Sequence, residues 1–413
     1  MLLNYLKIAI KVWGRRKFFT FVSLFGISFT LMILMVVAAF ADQIFGANYP
    51  EKKMDRMLFV LLLKEEYKDN GQSSGPLSYG LLDEFVSKMQ TPELMSIQSV
   101  FKIVNAYVDN RKLSLYTKST DSRFWEIYDF EFIEGKPFLE ADVEAGNNVI
   151  VINEETRKQY FGEKKAVGEL MEVDQINYRV TGVVKDVPFN RFTSFADVWV
   201  PINKPKELQN SEGYRGTFMA TLLVPEDGSE KLVREEFKSL ISKLEKPDPE
   251  QLLNIYSAAD PLDESITRTL MGDSEDSKIE MVYLIIFLAM ILFMALPAIN
   301  LININISRIM ERSSEIGVRK SFGATKVNLV WQFIFENILL TLVGCLLGFL
   351  FSYLVLIYIN NSGLIPYANV QINMSIFFTG TLIAIFFGLL SGVFPAYRMA
   401  NLQIVDALKG GVI

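Results

Sequence analysis

The chain has 413 residues, half of them hydrophobic, with 41 Lys+Arg against 47 Asp+Glu and a net charge of −6. That balance offers no basic field for nucleic acid, and the absence of histidine excludes Ser-His-Asp triads, Cys-His pairs and most zinc sites. The one cysteine, Cys345, leaves no internal disulfide, so any polar domain must rest on its own core.

Met1 to Lys17 reads as an amphipathic helix, with Leu3, Leu6, Ile10 and Trp13 on one face and Lys7, Lys11 and Arg15 on another. It is either an interfacial helix or a plain basic anchor, and both give the same orientation. Phe18 to Phe40 is apolar throughout and long enough to cross ~30 Å of hydrocarbon at ~1.5 Å per residue. Ala39-Phe40-Ala41 has the look of a signal cleavage site. The apolar run nevertheless exceeds the roughly 7–15 residues of a signal core, so an uncleaved first span is expected.

Residues 41–278 change character and hold no further span. Arg56 to Leu63 is a strand candidate, Gly71 to Pro76 a loop, and Tyr79 to Met89 has helical spacing. Asn148 to Ile152 and Tyr178 to Val184 are rich in β-branched residues and predict strands. Glu154 to Phe161 predicts a helix ended by Gly162, Asp197 to Val200 leads into Pro201, and Leu232 to Leu244 predicts a charged amphipathic helix. This mixed order predicts an α+β domain or two subdomains, large enough to bury a core. Asp263 to Lys278 is acidic with helical spacing, either a stalk running into the next span or a solvated linker interrupted by Gly272.

Three more spans follow at 279–304, 327–359 and 375–396, with Pro297 predicting a kink in the second. The segment 305–326 lies between the second and third spans, an uncharged loop at 360–374 joins the third and fourth, and 397–413 is a polar tail. The fold class expected is therefore a membrane protein of four transmembrane α-helices with a large α+β extracytoplasmic domain between the first and second spans. Lys7, Lys11, Arg15, Arg16 and Lys17 precede the first span, Arg308, Arg312, Arg319, Lys320 and Lys326 flank the middle segment, and Arg398 and Lys409 follow the fourth. The positive-inside rule then places both termini and 305–326 in the cytoplasm.

No GxxxxGK[ST] loop occurs in the sequence. Gly344 and Gly348 in the third span, and Gly380, Gly388 and Gly392 in the fourth, recur at helical spacing and predict faces for close helix packing. Small residues are common in membrane helices, which is the plainer explanation. Glu336 lies early in the third span, near the headgroups or against another helix. In the middle segment Glu315 stands four before Arg319, the favourable order for a helical ion pair, and Gly323 and Thr325 can stop one helix and cap the next. Charge runs of this kind are usually only solvated faces.

Glu311-Arg312, Glu315-Ile316-Gly317, Arg319-Lys320 and Gly323-Ala324 resemble the ER…EIG.RK..GA signature of the MacB/FtsX-type ABC transporter permeases. Asn303-Ile304, Gln332-Phe333 with Glu336, and Ser391-Gly392 through Pro395-Ala396 fit the same pattern. Asp129-Phe130 to Gly135-Lys136, Phe161-Gly162, Val167-Gly168 and Thr181-Gly182-Val183-Val184 resemble the family's periplasmic core in order. The resemblance covers nearly the whole chain. The tail departs from it, with Ile404 near the place of the family's usual proline, and no fused nucleotide-binding domain is present.

The resemblance implies a non-catalytic permease subunit in a bacterial cytoplasmic (inner) membrane. Its partners would be a separate ABC ATPase that holds the ATP and Mg, a second permease, identical or related, and membrane lipid, with no cofactor in this chain. A periplasmic adaptor or carrier is a further partner it suggests. Glu311, Arg312, Glu315, Ile316, Gly317, Arg319, Lys320, Gly323 and Ala324 would form the ATPase-coupling helix. The implied work is mechanotransmission: efflux or extraction of a peptide, lipopeptide or lipoprotein. The alternative is a transmembrane regulator of a cell-wall hydrolase or sensor kinase.

Overall fold

The computed structural model describes residues 2–15, 17–109, 111–211, 213–271, 276–311, 318, 321–322 and 325–400. The chain divides into two compact units. A membrane unit gathers residues up to Ala41, Tyr283–Ser362 and everything from Val370 onward; a polar unit holds Asp42–Val282 together with Gly363–Asn369.

Four helices are long and apolar enough to cross a membrane. They belong to Lys17–Phe45, Ile279–Glu311, Lys326–Asn361 and Met374–Ala400, called here spans one to four. Helix Leu2–Arg15 precedes them. Side-chain packing in the membrane unit centres on Ile27, Leu31 and Met35 of span one, Leu340 and Cys345 of span three, and Ala384 of span four. Thr325 caps span three, its hydroxyl accepting from the Asn328 N–H at 3.3 Å.

The polar unit is built on strands β1 (Met57–Val60), β2 (Leu63–Tyr67), β3 (Gln72–Gly75), β4 (Leu94–Ser99), β5 (Lys102–Val108), β6 (Arg111–Thr120), β7 (Phe132–Gly135), β8 (Val149–Asn153), β9 (Leu170–Val173), β10 (Ile176–Val184), β11 (Val198–Pro201), β12 (Phe218–Leu223) and β13 (Leu252–Ser257). The larger sheet runs β1-β12-β4-β6-β11-β8-β10-β9-β5, with β7 beside β10 and β5 returning to pair with β6. The smaller one runs β13-β2-β3. β8 and β10 are parallel; β8 is buried along its whole length, as a strand covered on both faces requires, whereas β10 is exposed at Ile176, Asn177 and Arg179 and buried at Val180 and Gly182–Val184. Three buried clusters fill the unit, around Phe237 and Leu82, around Trp199 and Phe124, and around Ile150 and Val183.

Helix Glu154–Phe161 lies where its ends dictate. The Asn153 side chain accepts from the Thr156 N–H at 2.8 Å, and Gly162 leaves the helix at φ 63°. Three expectations need correction. Gln72–Gly75 is a strand, not a loop, because it pairs with β2. The helix from Tyr79 stops at Glu84, and a short 3₁₀ turn over Val86–Lys88 follows. The stalk is not one continuous helix: Leu262–Leu270 ends at Leu270, and Lys278, at φ 59°, adopts a left-handed conformation just before span two.

Candidate functional site

The expected coupling helix falls largely outside the described residues. Arg312, Glu315, Ile316, Gly317, Arg319, Lys320, Gly323 and Ala324 lie there, and Glu311 is described only as the last residue of span two's helix. The tail from residue 401 is also outside. Within that segment Val318, Ser321 and Phe322 are described, and Phe322 is 89% exposed.

The glycines of spans three and four stand at close approaches. A Cβ on Gly344 would lie 2.8 Å from Ile27, and one on Gly348 would lie 2.9 Å from the Ser28 carbonyl, both on span one. A Cβ on Gly380 would meet Leu31 at 3.0 Å. On span four, a Cβ on Gly388 would lie 2.5 Å from Thr341 Oγ1, too close to fit without a shift, and Gly392 faces the Asn337 amide. The stripe thus receives Asn337 and Thr341 of span three, and Gln332 and Glu336 of the same helix are also buried. Glu336 lies on this protein-covered face.

A second set of contacts lies in the polar unit, on the segment 186–197 between β10 and β11. The first span's helix ends at Phe45. The next carbonyl, that of Gly46, accepts from Arg191 Nη2 at 2.7 Å, and Asn190 Nδ2 donates to Gln43 at 3.1 Å. Arg191 Nη1 meets Glu51 at 2.6 Å, with side-chain exposures of 1% and 0%. Glu51 also accepts from Ser194 Oγ at 2.7 Å and from the Thr193 hydroxyl. These bonds engage the Glu51 carboxylate and both terminal guanidinium nitrogens of a pair that burial alone would penalise heavily, while Arg191 Nε is buried without a hydrogen bond among the described residues. Lys118 Nζ reaches the carbonyls of Phe192 at 2.9 Å and Thr193 at 2.5 Å. Burial pushes this ammonium down to about 7, partly opposed by the nearby Glu51 charge.

The same segment holds the loop that joins spans three and four. The Phe189 N–H donates to the Pro366 carbonyl at 3.2 Å. Tyr367 Oη donates to Asp197 Oδ1 at 2.8 Å, and its ring lies 6.4 Å from that of Phe195. Asp197 accepts further from the Tyr116 N–H at 2.8 Å and from Asn153 Nδ2 at 3.2 Å. Burial raises the Asp197 carboxyl above the ordinary carboxylate range, opposed by these hydrogen bonds. Burial also raises the Tyr367 phenol, and the Asp197 charge adds to the shift. Tyr367 itself has φ 55°, a left-handed conformation that bulky residues adopt only when surroundings enforce it.

Sequence reasoning missed Glu51, Lys118, Arg191, Asp197 and Tyr367. Glu51 and Arg191 are 140 positions apart, and Tyr367 and Asp197 are 170 apart, so no local spacing announces either pair. The one available signal was Lys118, a lysine inside the strand Arg111–Thr120. Among the described residues, no cluster of three or more His, Cys, Asp or Glu could hold a metal ion.

The family model of the MacB-like periplasmic core domain matches residues 20–240, and that of the FtsX-like permease C-terminal region matches residues 287–404. The chain belongs to the MacB/FtsX-type ABC transporter permeases. It is 23% identical over 326 residues to the ABC transporter permease YknZ of Bacillus subtilis, covering 76% of this chain and 77% of that one. It is 26% identical over 304 residues to the macrolide export ATP-binding/permease protein MacB of Pasteurella multocida, covering 73% of this chain and 44% of the relative. It thus spans under half the length of that MacB and half that of the Salmonella typhi one. Among solved structures, the periplasmic region of MacB from Actinobacillus actinomycetemcomitans shares 15% identity at a TM-score of 0.37, covering 53% of this chain and 94% of that one. The extracellular domain of YknZ shares 13% identity at a TM-score of 0.35, covering 48% and 100%. As a MacB/FtsX-type permease the chain is a multi-pass membrane protein, with its large domain between spans one and two.

Proposed function

We infer that this permease couples ATP hydrolysis by a separate ABC ATPase to movement of its polar domain, and that this movement exports or extracts a peptide, lipopeptide or lipoprotein. The observation that carries the reading is the segment 186–197. It binds the end of span one through Gly46 and the loop between spans three and four through Pro366 and Tyr367. Each of the four membrane helices continues along the chain into this unit, at Asp42, Val282, Gly363 and Asn369. A displacement of the helices has a direct route into that unit, with no substrate channel required.

The coupling segment 305–326 receives the ATPase, with Glu315, Gly317, Arg319 and Lys320 as its contact residues by their resemblance to the family signature; Phe322, later in the same segment, is exposed. Span two is the least buried of the four, 6% of its apolar window, and it offers a face to a second permease or to lipid. Both termini lie in the cytoplasm, by the distribution of Lys and Arg around the spans.

The test is co-purification with an ABC ATPase from native membranes, followed by ATPase measurement. Glu315→Lys combined with Arg319→Glu is expected to abolish both association and stimulation. If both survive, the coupling role of this segment is wrong. A reporter fused at residue 365 checks the topology, and a cytoplasmic signal there refutes it.

A further inference from the structure

The turn between β2 and β3 carries the one Asn-Gly pair of the sequence, Asn70-Gly71. Glycine has no side chain to shield its backbone nitrogen, so that nitrogen can reach the side-chain amide carbon of a preceding asparagine. Lys68, Asp69 and Asn70 are all exposed, which leaves the amide open to water. The Gly71 N–H donates to Asp69 Oδ1 at 2.9 Å, so the proton on the nitrogen already faces a carboxylate.

The Tyr67 N–H closes the turn by donating to the Gly71 carbonyl at 2.8 Å, and the Asn70 N–H donates to the Tyr67 carbonyl at 3.1 Å. Asn70 has φ 67°, a left-handed conformation that strains asparagine more than glycine. Lys68 ties the β2 side of the turn to residues 249–251 through its N–H and its Nζ. On the other side, β3 is an edge strand paired only with β2, and its sequence Gln-Ser-Ser-Gly has no fully buried residue. Fraying of such an edge is cheap, and it gives the turn the freedom to bring the Gly71 nitrogen onto Asn70 Cγ.

We propose that Asn70 is a self-modification site, at which the Gly71 nitrogen displaces ammonia from the asparagine amide and the ring that forms opens to aspartate or isoaspartate. The Gly71 nitrogen gives up its proton and bonds to Asn70 Cγ. The Cγ–Nδ2 bond breaks, and Nδ2 leaves with a proton as ammonia. Water then hydrolyses the cyclic imide. Opening at Cγ restores the original main chain, with aspartate in place of asparagine. Opening at the backbone carbonyl of residue 70 breaks its bond to the Gly71 nitrogen and routes the main chain through Cβ and Cγ, as isoaspartate. Either product places a new carboxylate beside Asp69. Isoaspartate also inserts a methylene into the main chain between β2 and β3, which shifts the pairs Glu66–Gln72 and Glu65–Ser73 out of register. β2 keeps its other partner, β13, so the change acts on β3.

The experiment incubates the full chain in lipid nanodiscs, in neutral and in mildly alkaline buffer, and follows the peptide that contains Asn70 by mass spectrometry after digestion. The expected result is a time-dependent change from the amide mass to the acid mass, split between two isomers. It should run faster in the alkaline buffer, because the attacking nitrogen must lose its proton. An isoaspartyl methyltransferase should label one isomer and not the other. Gly71→Ala should suppress the conversion, since its methyl group crowds the attack. That methyl would come nearest to the Asp69 carboxylate, at 2.9 Å, and this exposed side chain can turn away, so the variant should fold. Asn70→Gly removes the amide, suits the left-handed turn and should leave the peptide inert. Hydrogen exchange over 72–75, read separately on the two isomers, should rise in the isoaspartate form and stay at the parent level in the aspartate form. An amide that persists in both buffers overturns the proposal. So does conversion that Gly71→Ala leaves at the parent rate, which would assign it to direct hydrolysis by water. Equal exchange over 72–75 in the two isomers overturns the effect on β3.

Discussion

Tyr367→Phe removes one oxygen from the loop between spans three and four and leaves the ring in place. The Tyr367 hydroxyl donates to Asp197 at 2.8 Å, and Asp197 keeps its bonds from Tyr116 and Asn153. Losing a hydrogen bond to a charged group costs about 1.5–3 kcal/mol. At about 1.4 kcal/mol per factor of ten, the loop should open roughly 10- to 100-fold more often. Tyr367 also stores left-handed backbone strain of ~1–2 kcal/mol, which favours release once the bond is gone. Hydrogen exchange on the full chain in nanodiscs reads this directly. Exchange over 363–369 should accelerate by that factor, while the buried helix Glu230–Ser242 stays unchanged. Asp197→Asn should couple to Tyr367→Phe in a double-mutant cycle by at least ~0.5 kcal/mol. Equal exchange in parent and variant would refute the clamp. Uniform acceleration across the polar unit would show that the tyrosine acts on global stability instead. In the assembled transporter, the loosened variant should keep ATPase activity and lose part of its coupled transport.

Glu51→Gln leaves Arg191 buried and uncompensated, and should destabilise the polar unit by about 3–5 kcal/mol, read as a fall in melting temperature. Glu51→Leu with Arg191→Met should recover most of it. Gly392→Leu and Gly388→Val should block the approach of span four to Asn337 and Thr341, seen as lost expression or a lowered melting temperature, whereas Gly75→Ala, with open space at its Cβ and an ordinary φ, is a far milder control. Lys118 has a folded value near 7, below its unfolded value of 10.5, so between these pH values the unfolded chain binds the extra proton. Its contribution to stability therefore rises with pH by about 1.4 kcal/mol per unit across that window. The melting temperature of the parent minus that of Lys118→Met should increase from pH 7 to pH 9, and a flat difference would contradict the burial argument.

Local chemistry made much of the fold legible in the sequence. The spans follow from apolar run length, and the end of helix Glu154–Phe161 from a stopping Gly162, a signal that acts within one turn; the Asn153 cap at its start was seen only in the structure. β8 and β10 follow from β-branched runs. β3, with the sequence Gln-Ser-Ser-Gly, has no such signal and is a strand only because β2 lies beside it. The glycine spacing pointed to close helix contacts but did not say which helix each would meet: Gly344, Gly348 and Gly380 meet span one, and Gly388 and Gly392 meet span three. Segment 186–197 was illegible because the bonds that join it to Gly46, Glu51 and Tyr367 span distant parts of the chain. Only the folded polar unit brings Gly46, Glu51 and Tyr367 to the same dozen residues.

The chemistry of that segment bears on why it is polar. An apolar contact would hold the end of span one with at least equal stability, since a buried ion pair recovers little beyond its own desolvation. Apolar packing, however, is tolerant of direction, and a planar guanidinium is not. Arg191 points one nitrogen at the Gly46 carbonyl and the other at Glu51, so a rotation or slide of the span's end breaks a bond at once. Tyr367 and Asp197 constrain the other attachment in the same directional way. A part that must pass on a displacement gains from contacts that resist slip more than from contacts that merely add stability. On this view the buried charges are kept for geometry, and the apolar replacement of Glu51 and Arg191 should separate the two: a chain that melts nearly as high as the parent, yet transmits the motion of its spans less faithfully.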